Sequence, residues 1–423
     1  MKALILSYSD TTGGASRAAT RLHKALLESK IQSRMHVGIK KSDLSTVDSS
    51  QGKISKVLRI LGPTLGDQLM RFQKSPSPIL HSPAILPSGL LKEINNSDTD
   101  VLNLHWINNE FLSIEDIGYL RKPLVLTLHD MWAFCGSEHY APDDINTRWR
   151  MGYSSDNRPE GHSGVDIDRW VWKRKLNAWR RPMDIVTPSR WLADCVKNSV
   201  LMHNWPVTVI PNPLDTLQYQ PWPKAMARTL LGLPPTATLV LFGAIGGGTD
   251  PRKGWDLLQS ALIQVANNSS DVQCVILGQS EPIMPPQLGL PLHWLGHLSD
   301  DVTLSILYSA VDVTVVPSRQ ENLPQSGTEA QACGCPVVAF NTTGLKDIVE
   351  HEQTGYLAEA YKTEDLARGI MWVLEDKDRH SKLSVQARQR AVSLWSHEVV
   401  VPQYLEVYGR AIDHIRGLAI LTK

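Results

Sequence analysis

Two glutamates raise the first question of chemistry in this chain. Glu321 and Glu329 stand eight positions apart in the stretch ENLPQSGTE, and an uncharged run, AQACGCPVVAF, follows the second of them. Neither has an obvious basic partner nearby in the sequence, and both adjoin residues that we expect to be buried. A buried carboxylate needs hydrogen-bond donors or an opposite charge. The two acids are therefore the first candidates for a functional site.

A glycine-rich loop with two cations is the second candidate. The segment GAIGGGTDPRKG (243–254) follows an apolar run and precedes a helical pattern. Its glycines let backbone N–H groups approach an anion closely, and the N-terminus of the helix adds partial positive charge. Arg252 and Lys253 add full charges, so the loop suits a diphosphate. It has neither the Gly-Lys-Ser/Thr order of a P-loop nor the G-x-G-x-x-G spacing of a dinucleotide loop, and a surface loop with two solvated cations is the alternative.

A less charged version of this arrangement lies near the N-terminus. Gly13-Gly14 in SDTTGGASRAA (9–19) precedes a helix and offers the same backbone geometry. A pair of glycines is more often only a turn, so a ligand loop and a simple turn both stay open.

His129 ends an apolar run at LHDMW (128–132), where a strand leaves its sheet. It is either a structural histidine with satisfied hydrogen bonds or a group that faces a ligand, and Asp130 is a candidate cap for the segment that follows. His129 is also a conceivable metal ligand together with Cys135 and His139, but the spacing of these three residues matches no standard metal site. We therefore expect no metal.

The segment RWVWKRKLNAWRR (169–181) is basic and rich in tryptophan. Trp172, Leu176 and Trp179 recur at the spacing of one helical face, with cations around them. Such a helix can lie on a membrane surface, and the basic stretch KISKVLRILG (53–62) is a second candidate for that contact. The alternative, which we favour, is a domain helix with a solvated basic side.

These candidates lie between apolar runs that alternate with helical patterns. Fully apolar strands separated by helices indicate parallel sheets that are covered on both faces. Two segments, which begin at ALILS and TLVLF, share a strand–loop–helix layout and predict two Rossmann-like α/β domains joined near the Pro-rich stretch 209–223. Open parallel sheets bind ligands beyond the carboxyl ends of their strands, which is where the loops above lie. The predicted strands are 3–7, 101–105, 124–129, 184–188, 207–210, 238–242, 272–277, 313–316 and 336–340.

The composition excludes several classes of protein. The chain has 423 residues, of which 42% are hydrophobic and 20% charged, which indicates a globular protein of more than one domain. Lys plus Arg and Asp plus Glu both number 43, so nothing global points to nucleic acid. We interpret MKALILSYSD as a strand rather than a signal peptide, and no run approaches membrane-spanning length. Five scattered cysteines, among which Cys333 and Cys335 are expected to pack as small apolar residues, favour a reduced, cytoplasmic setting.

The motifs together resemble one enzyme family. ENLPQSGTEAQACGCPVVAF, preceded by Pro317-Ser318, is similar to the Glu-x7-Glu signature of retaining glycosyltransferases of the two-Rossmann-domain (GT-B) kind, family four. The pattern H-D-M-W resembles that of bacterial colanic-acid and exopolysaccharide enzymes. The resemblance implies domains 1–208 and 209–395 that face one another across a cleft, with a C-terminal helix at about 396–423 packed back on the first. Further similarity runs in order from residue 1 to about 410 through Gly13-Gly14, LTLHD, VTPSRW, VIPNPLD, RKGWDLL, LHWLGHL and GLKDIVEHEQTGYLA.

The resemblance implies a role for each candidate in the second domain. Glu329 would hold the ribose hydroxyls of a nucleotide, and Glu321 would contact hydroxyls of the donor sugar near the reacting carbon. Lys253 would neutralise the diphosphate leaving group. Backbone N–H groups of Asn322 and Leu323 would bind sugar hydroxyls or phosphate.

In the first domain the resemblance implies that Gly14, beside Gly13, lets the backbone approach the same diphosphate, and that His129 faces the donor sugar. The sequence departs from the family pattern at two places. Ala244 stands where the family commonly has Arg, and Arg252 is the candidate replacement. Asn322-Leu323-Pro324 stands where many relatives have Gly-Phe-Gly, which leaves the donor sugar open.

The implied reaction is a hexosyl- or deoxyhexosyl-type transfer from a nucleotide-diphosphate sugar to a saccharide acceptor, either lipid-linked or a growing polysaccharide, with retention of configuration and without a metal or another cofactor. The sequence offers no Ser-His-Asp set and no close pair of acids like that of a glycosidase. A non-catalytic nucleotide-sugar-binding protein on the same fold is the alternative. The missing glycine fingerprint disfavours a nicotinamide oxidoreductase. We expect a cytoplasmic protein with no nucleic-acid partner, and contact with the inner face of the cytoplasmic membrane is a further hypothesis.

Overall fold

The structure is a computed structural model that describes residues 1–49, 53–76, 79–243, 246 and 248–421, with the backbone alone at 53–60 and 418–421. By its internal contacts the chain forms two compact units. The first unit is Met1–Asn212 together with the segment from Val401 onward, and the second unit is Pro213–Val400. The change from one unit to the other at 212–213 falls within the Pro-rich stretch 209–223.

Strands and helices alternate along most of the chain. The strands are β1 (Lys2–Ser9), β2 (Gln32–Ile39), β3 (Val47–Ser49), β4 (Gln73–Lys74), β5 (Val101–His105), β6 (Leu124–Thr127), β7 (Ser163–Gly164), β8 (Asp184–Thr187), β9 (Val207–Val209), β10 (Thr238–Gly243), β11 (Val272–Leu277), β12 (Leu292–Trp294), β13 (Val313–Val316), β14 (Val337–Phe340) and β15 (Gly355–Ala358). The helices are α1 (Gly13–Glu28), α2 (Lys53–Met70), α3 (Leu91–Asn96), α4 (Ile114–Gly118), α5 (Arg148–Met151), α6 (Ile167–Ala178), α7 (Arg190–Asn198), α8 (Lys224–Leu231), α9 (Trp255–Asn268), α10 (Asp301–Ala310), α11 (Gln325–Ala332), α12 (Leu345–Ile348), α13 (Thr363–Leu374), α14 (Lys377–Trp395) and α15 (His397–Leu421). None of the described helices is both long and apolar enough to cross a membrane.

A seven-stranded sheet forms the centre of the first unit. Its order is β3-β2-β1-β5-β6-β8-β9, and each neighbouring pair is parallel. Ile5 and Leu6 point to opposite faces of β1, and both are fully buried, so helices cover the sheet on both sides. The strand order reverses between β1 and β5, which is the place where open α/β sheets bind ligands.

The second unit repeats this plan with six parallel strands. Their order is β12-β11-β10-β13-β14-β15, with parallel pairing throughout, so the order reverses between β10 and β13. Leu258, Leu262 and Val265 form the buried stripe of α9. At the start of that helix Trp255 stacks on Phe242 of β10, with ring centroids 5.0 Å apart. The two Rossmann-like units confirm the predicted α/β fold class, the GT-B architecture.

All of the predicted strands are present, with ends that differ from the prediction by up to two residues. The sequence reasoning missed β2, β3, β12 and β15, which lie toward the edges of the two sheets, and the short antiparallel pair β4–β7. These strands are short or mix exposed with buried residues, because an edge strand needs fewer apolar residues than a central one.

The last helix, α15, begins in the second unit and belongs to the first from Val401 onward. Tyr408 of this helix is fully buried, and its hydroxyl accepts a hydrogen bond from the Asn103 side chain of β5 at 2.8 Å. Arg410 pairs with Asp184 of β8 at 2.6 Å. Polar groups of the central strands therefore hold the segment that follows Val401.

Candidate functional site

In the second unit two loops meet at the point where the strand order reverses. The glycine-rich loop after β10 leads through a 3-10 turn, Pro251–Lys253, into α9. The loop after β13 contains Glu321 and leads into α11. Because β10 and β13 are neighbours in the sheet, both loops leave from adjacent carboxyl ends.

Close backbone contact joins the two loops. Gly254 has a φ of +67°, and a Cβ at this position would lie 2.0 Å from the carbonyl oxygen of Pro317, so only glycine fits. The Arg319 N–H donates to the Arg252 carbonyl at 2.7 Å, and the Arg319 guanidinium binds both carboxylate oxygens of Asp256. The position of Lys253 is therefore fixed relative to the loop that carries Glu321.

Lys253 is the basic partner of Glu321, whereas Arg319, two positions before Glu321 in the sequence, binds Asp256. The Lys253 ammonium donates to Oε1 of Glu321, from a position 68 residues away in the chain. Glu321 is 7% exposed, whereas a quarter of the Lys253 side chain is exposed. The exposed side of the ammonium can thus reach an anion while its other side holds the carboxylate.

Glu329 lies on α11, and Glu321 lies in the loop before it. Glu329 is 3% exposed, and its Oε2 accepts a hydrogen bond from the Tyr308 hydroxyl of α10 at 3.0 Å. Asn322 and Leu323, which lie between the two acids, are also buried. The loop therefore presents backbone and carboxylate groups at the carboxyl end of β13 with little side-chain freedom.

Arg252 turns toward Asp250. Its guanidinium binds the Asp250 carboxylate at 2.7 Å, and the same carboxylate accepts the Arg252 N–H at 3.0 Å. Ala244, the position where the family pattern has Arg, lies outside the described residues.

In the first unit the carboxyl ends of β5 and β6 bring two histidines together. Nδ1 of His105 lies 3.0 Å from Nε2 of His129, so one ring donates and the other accepts. Burial lowers the pKa of His129 to about 4, and burial followed by the proximity of His129 lowers the pKa of His105 well below its usual value. Both rings are therefore neutral at neutral pH. His105 is a residue that the sequence reasoning missed, although it ends the predicted strand VLNLH.

Asp130 organises the loop that follows His129. It accepts hydrogen bonds from the Trp132 N–H at 3.0 Å, the Trp106 indole at 2.9 Å and the His139 ring at 2.6 Å. The other nitrogen of His139 contacts the Ser82 hydroxyl at 2.8 Å. His139 thus serves this hydrogen-bond network, which also keeps the backbone around His129 in place.

A different group of ionisable residues includes Glu138, which lies further along the same loop. Possible ligand atoms of His81, Glu138 and Asp168 lie within 4.8 Å of one another. Burial, and next to it the charge of Asp168, raises the pKa of the Glu138 carboxyl above its ordinary value. The Tyr153 hydroxyl is hydrogen-bonded to it. The sequence reasoning did not single out these residues, which lie far apart in the chain.

Gly13 and Gly14 open α1 directly after the first strand of the first unit. Gly13 has a φ of +84°, a conformation that favours glycine. Before it, the Ser9 hydroxyl accepts the N–H groups of Thr11 and Thr12 at 3.3 and 3.2 Å. The glycine pair therefore forms the tight entry to a helix at the carboxyl end of β1.

The Trp-rich segment is a domain helix, α6, as favoured above. Trp172 and Trp179 are buried, but Leu176 is 49% exposed, so the prediction that all three share one face is wrong for Leu176. Lys175 is fully buried instead, because its ammonium donates to the carbonyls of Trp132, Cys135 and Gly136. For the other basic stretch, 53–62, the side chains of 53–60 lie outside the described residues.

Two family models match the chain. Residues 12–218 match the model described as Glycosyltransferase Family 4, and residues 246–390 match the model described as Glycosyl transferases group 1. The chain is thus similar to the family 4 model in its first part and to the group 1 model in its second part. The segment similar to group 1 contains Lys253, Glu321 and Glu329, and the segment similar to family 4 contains Gly13, Gly14 and His129.

Curated relatives share part of the chain. The D-inositol 3-phosphate glycosyltransferase of Thermobispora bispora is 32% identical over 225 residues, which cover 49% of this chain and 51% of the relative. The protein of the same name from Saccharomonospora viridis is 30% identical over 233 residues, 50% of this chain and 52% of the relative. The chain thus spans about half the length of these relatives. Their names do not single out colanic-acid or exopolysaccharide synthesis.

Solved structures share the fold over nearly the whole chain. HepE of Anabaena, crystallised with UDP and glucose, superposes with a TM-score of 0.62 at 19% identity and covers 97% of this chain and 100% of its own. Sucrose-phosphate synthase of Thermosynechococcus elongatus gives a TM-score of 0.62 at 17% identity, with 98% and 100% covered. WaaG, a glycosyltransferase of lipopolysaccharide biosynthesis, gives 0.60 at 15% identity, with 98% and 100% covered. At these identities the likeness concerns the fold alone.

Proposed function

We propose that the protein is a retaining glycosyltransferase that moves a hexosyl or deoxyhexosyl group from a nucleotide-diphosphate sugar to an acceptor hydroxyl. The observation that carries the proposal is the Lys253–Glu321 pair at the point where the sheet order reverses, with Glu321 in the loop that leads into the helix of the buried Glu329. A cation beside a carboxylate suits a ligand that carries phosphate at one end and sugar hydroxyls at the other.

The roles follow from the charges that change during transfer. The bond between the sugar C1 and the diphosphate oxygen breaks, so negative charge grows on the phosphate, where Lys253 and the backbone N–H groups of Asn322 and Leu323 stabilise it. The acceptor oxygen bonds to C1 on the face that the diphosphate leaves, and its proton passes to the leaving phosphate oxygen. Glu321 orients the donor sugar, and Glu329 holds the ribose. Lys253 supplies the positive charge, so the proposed reaction uses no metal or other cofactor.

The first unit is proposed to contribute Gly14 toward the diphosphate and His129 toward the donor sugar. Because His129 is neutral, it acts as a hydrogen-bonding group rather than as a cation. We propose that Arg252 is a secondary charge near the phosphate, since Asp250 engages it.

The proposed reaction has two candidate classes of acceptor. The H-D-M-W pattern favours a saccharide, either lipid-linked or a growing polysaccharide. The names of the curated relatives favour a phosphorylated inositol. Purified protein, UDP-[14C]glucose and either inositol 3-phosphate or a lipid-linked oligosaccharide distinguish the two by the labelled product.

The proposed contact with an anionic membrane rests on the outer side of α6. Trp170 and Leu176 are 44% and 49% exposed, and Lys173 is exposed between them. Vesicles of phosphatidylglycerol test this contact by sedimentation. We expect the wild type to sediment with the vesicles and the double substitution Trp170→Ser with Lys173→Glu to reduce this binding. If the wild-type protein stays in the supernatant, the membrane hypothesis is wrong.

A melting-temperature screen against nucleotide sugars tests the donor, because a ligand of the native state raises its stability. We expect a shift with at least one nucleotide sugar and none with NAD. We further expect Glu329→Ala to weaken donor binding and Lys253→Ala mainly to lower kcat. Binding without turnover for every acceptor class would identify a non-catalytic nucleotide-sugar-binding protein instead.

Chelation tests the metal-free reaction. Activity in excess EDTA should equal activity in its absence, and restoration by Mg²⁺ or Mn²⁺ after a loss would overturn this part of the proposal.

A further inference from the structure

Thr343 has an unusual backbone conformation next to Glu321. It follows β14, the strand beside β13 in the sheet, and it is 9% exposed. Its φ is +44°. Of the non-glycine residues with positive φ in the described part of the chain, Thr343 alone is branched at Cβ, and such a residue is a steric outlier in this region. The surrounding contacts must therefore hold it there.

The contacts of Thr343 lead to Glu321. The Glu321 N–H donates to the Thr343 hydroxyl at 3.2 Å, and the Gly344 N–H donates to the Glu321 carbonyl at 3.0 Å. Both backbone polar groups of Glu321 are thus bound by two consecutive residues of the loop after β14. This arrangement fixes the backbone from which the Glu321 carboxylate reaches Lys253.

A glycine would relieve the backbone strain at position 343, but it would remove the hydroxyl. The chain instead has a β-branched residue whose oxygen is the acceptor for Glu321. Glu321 is 7% exposed, so without Thr343 its N–H would have to find water or stay unpaired.

We propose that Thr343 is a positioning residue for the transfer reaction, which orients Glu321 through its hydroxyl and tolerates a strained backbone to do so. The inference rests on the proposed function of Glu321. It adds a residue of the loop after β14 to the two loops that form the site.

Four variants in the full chain test the proposal. Thr343→Val keeps the shape and removes the acceptor, Thr343→Gly removes both the acceptor and the strain, and Thr343→Ser keeps the hydroxyl. Thr342→Val is the matched control at the neighbouring threonine. Initial rates give kcat and KM for the nucleotide sugar, and thermal melts check folding.

We expect kcat to fall by about tenfold or more in Thr343→Val and Thr343→Gly, since a small displacement of an orienting group reduces the rate strongly. KM should change less, Thr343→Ser should retain most of kcat, and Thr342→Val should match the wild type. If Thr343 has a purely structural role, a Thr343→Gly variant that melts no lower than the wild type should have the kcat of the wild type.

If the wild type is active and the Thr343→Val and Thr343→Gly variants have the same kcat, the positioning role of Thr343 is wrong, and the proposed function still stands. A wild type that transfers sugar from no nucleotide sugar overturns the proposed function and this inference with it.

Discussion

At the scale of residues, the ion pair between Lys253 and Glu321 places two requirements on one ammonium group. Without donor, Lys253 compensates a carboxylate that is 7% exposed, and burying that charge alone would be unfavourable. In the proposed complex with donor, the same ammonium would face a diphosphate, which Glu321 would repel. On the proposed assignment, the ion pair without donor favours sugar binding and partly opposes phosphate binding.

Removing the charge of Glu321 should separate these two effects. We expect Glu321→Gln to bind UDP about fivefold more tightly, or ~1 kcal/mol, because Lys253 is released and the repulsion is gone. Transfer should fall by about 100-fold or more, since the donor sugar loses its acceptor group. Calorimetric titration with UDP and initial rates measure the two quantities.

Glu350→Gln is the matched control, because this acid of the same unit pairs with Arg390. It should change neither quantity. Weaker UDP binding by Glu321→Gln would contradict the idea that the acid opposes the phosphate.

The lowered pKa of His129 predicts that the free energy of unfolding depends on pH. Its pKa in the folded protein, about 4, is below that of an unfolded histidine, about 6.5. The unfolded chain therefore takes up protons first as the pH falls, and stability present above pH 6.5 is lost toward pH 4. We expect His129→Gln to reduce the loss of unfolding free energy between pH 7 and pH 5 by about 2 kcal/mol. Urea denaturation at both pH values measures this, with His203→Gln, an exposed histidine, as the control that should leave the loss unchanged.

At the scale of elements, strand order decides which loops meet. β10 and β13 are distant in sequence but adjacent in the sheet, and this adjacency brings Lys253 to Glu321. The apolar runs predicted the central strands and the motifs predicted the loops that follow them. The partner of Glu321 could not be predicted in the same way, because it depends on strand order and on the close passage of Gly254 under Pro317. The burial of Lys175 could not be predicted for the same reason. A lysine in a basic segment is expected to be solvated, and the three carbonyls that accept its hydrogen bonds come from another part of the chain.

The contact at Gly254 should be sensitive to a single methyl group. Gly254→Ala places a Cβ against the Pro317 carbonyl and has to push the two loops apart, so we expect a loss of stability of about 2–3 kcal/mol and weaker donor binding. Gly232→Ala is the control, because Gly232 has a similar φ of +63° but no atom within 4 Å of the added Cβ. It should cost about 1 kcal/mol and leave donor binding unchanged. Equal effects of both variants would mean that backbone strain alone, and not the contact between the loops, is responsible.

At the scale of the whole molecule, α15 makes the first unit depend on residues from both ends of the chain. Asn103 of β5 connects three elements, since it also accepts a hydrogen bond from Thr127 of β6 at 2.9 Å. Tyr408 completes this group from the last helix. The apolar pattern predicted β5 as a strand, but the single asparagine within it gave no indication of its partner.

Tyr408→Phe should destabilise the first unit, because the buried amide of Asn103 loses its acceptor. We expect a decrease of about 1–2 kcal/mol in the free energy of unfolding, measured by urea denaturation. Tyr119→Phe, at a tyrosine that is 66% exposed, should change it by less than about 0.5 kcal/mol. A decrease no larger than this control would show that the Asn103–Tyr408 bond contributes little to stability.

The path of α15 also has a consequence for protein synthesis. The ribosome makes β1 to β9 first, then the whole second unit, and only afterwards the turns of α15 that carry Tyr408 and Arg410. At about 5–20 residues per second, the nascent first unit waits on the order of 10 to 40 s with Asn103 and Asp184 unpartnered by that helix. A stop codon introduced before the codon for Tyr408 would therefore remove contacts from the part of the protein that is translated first.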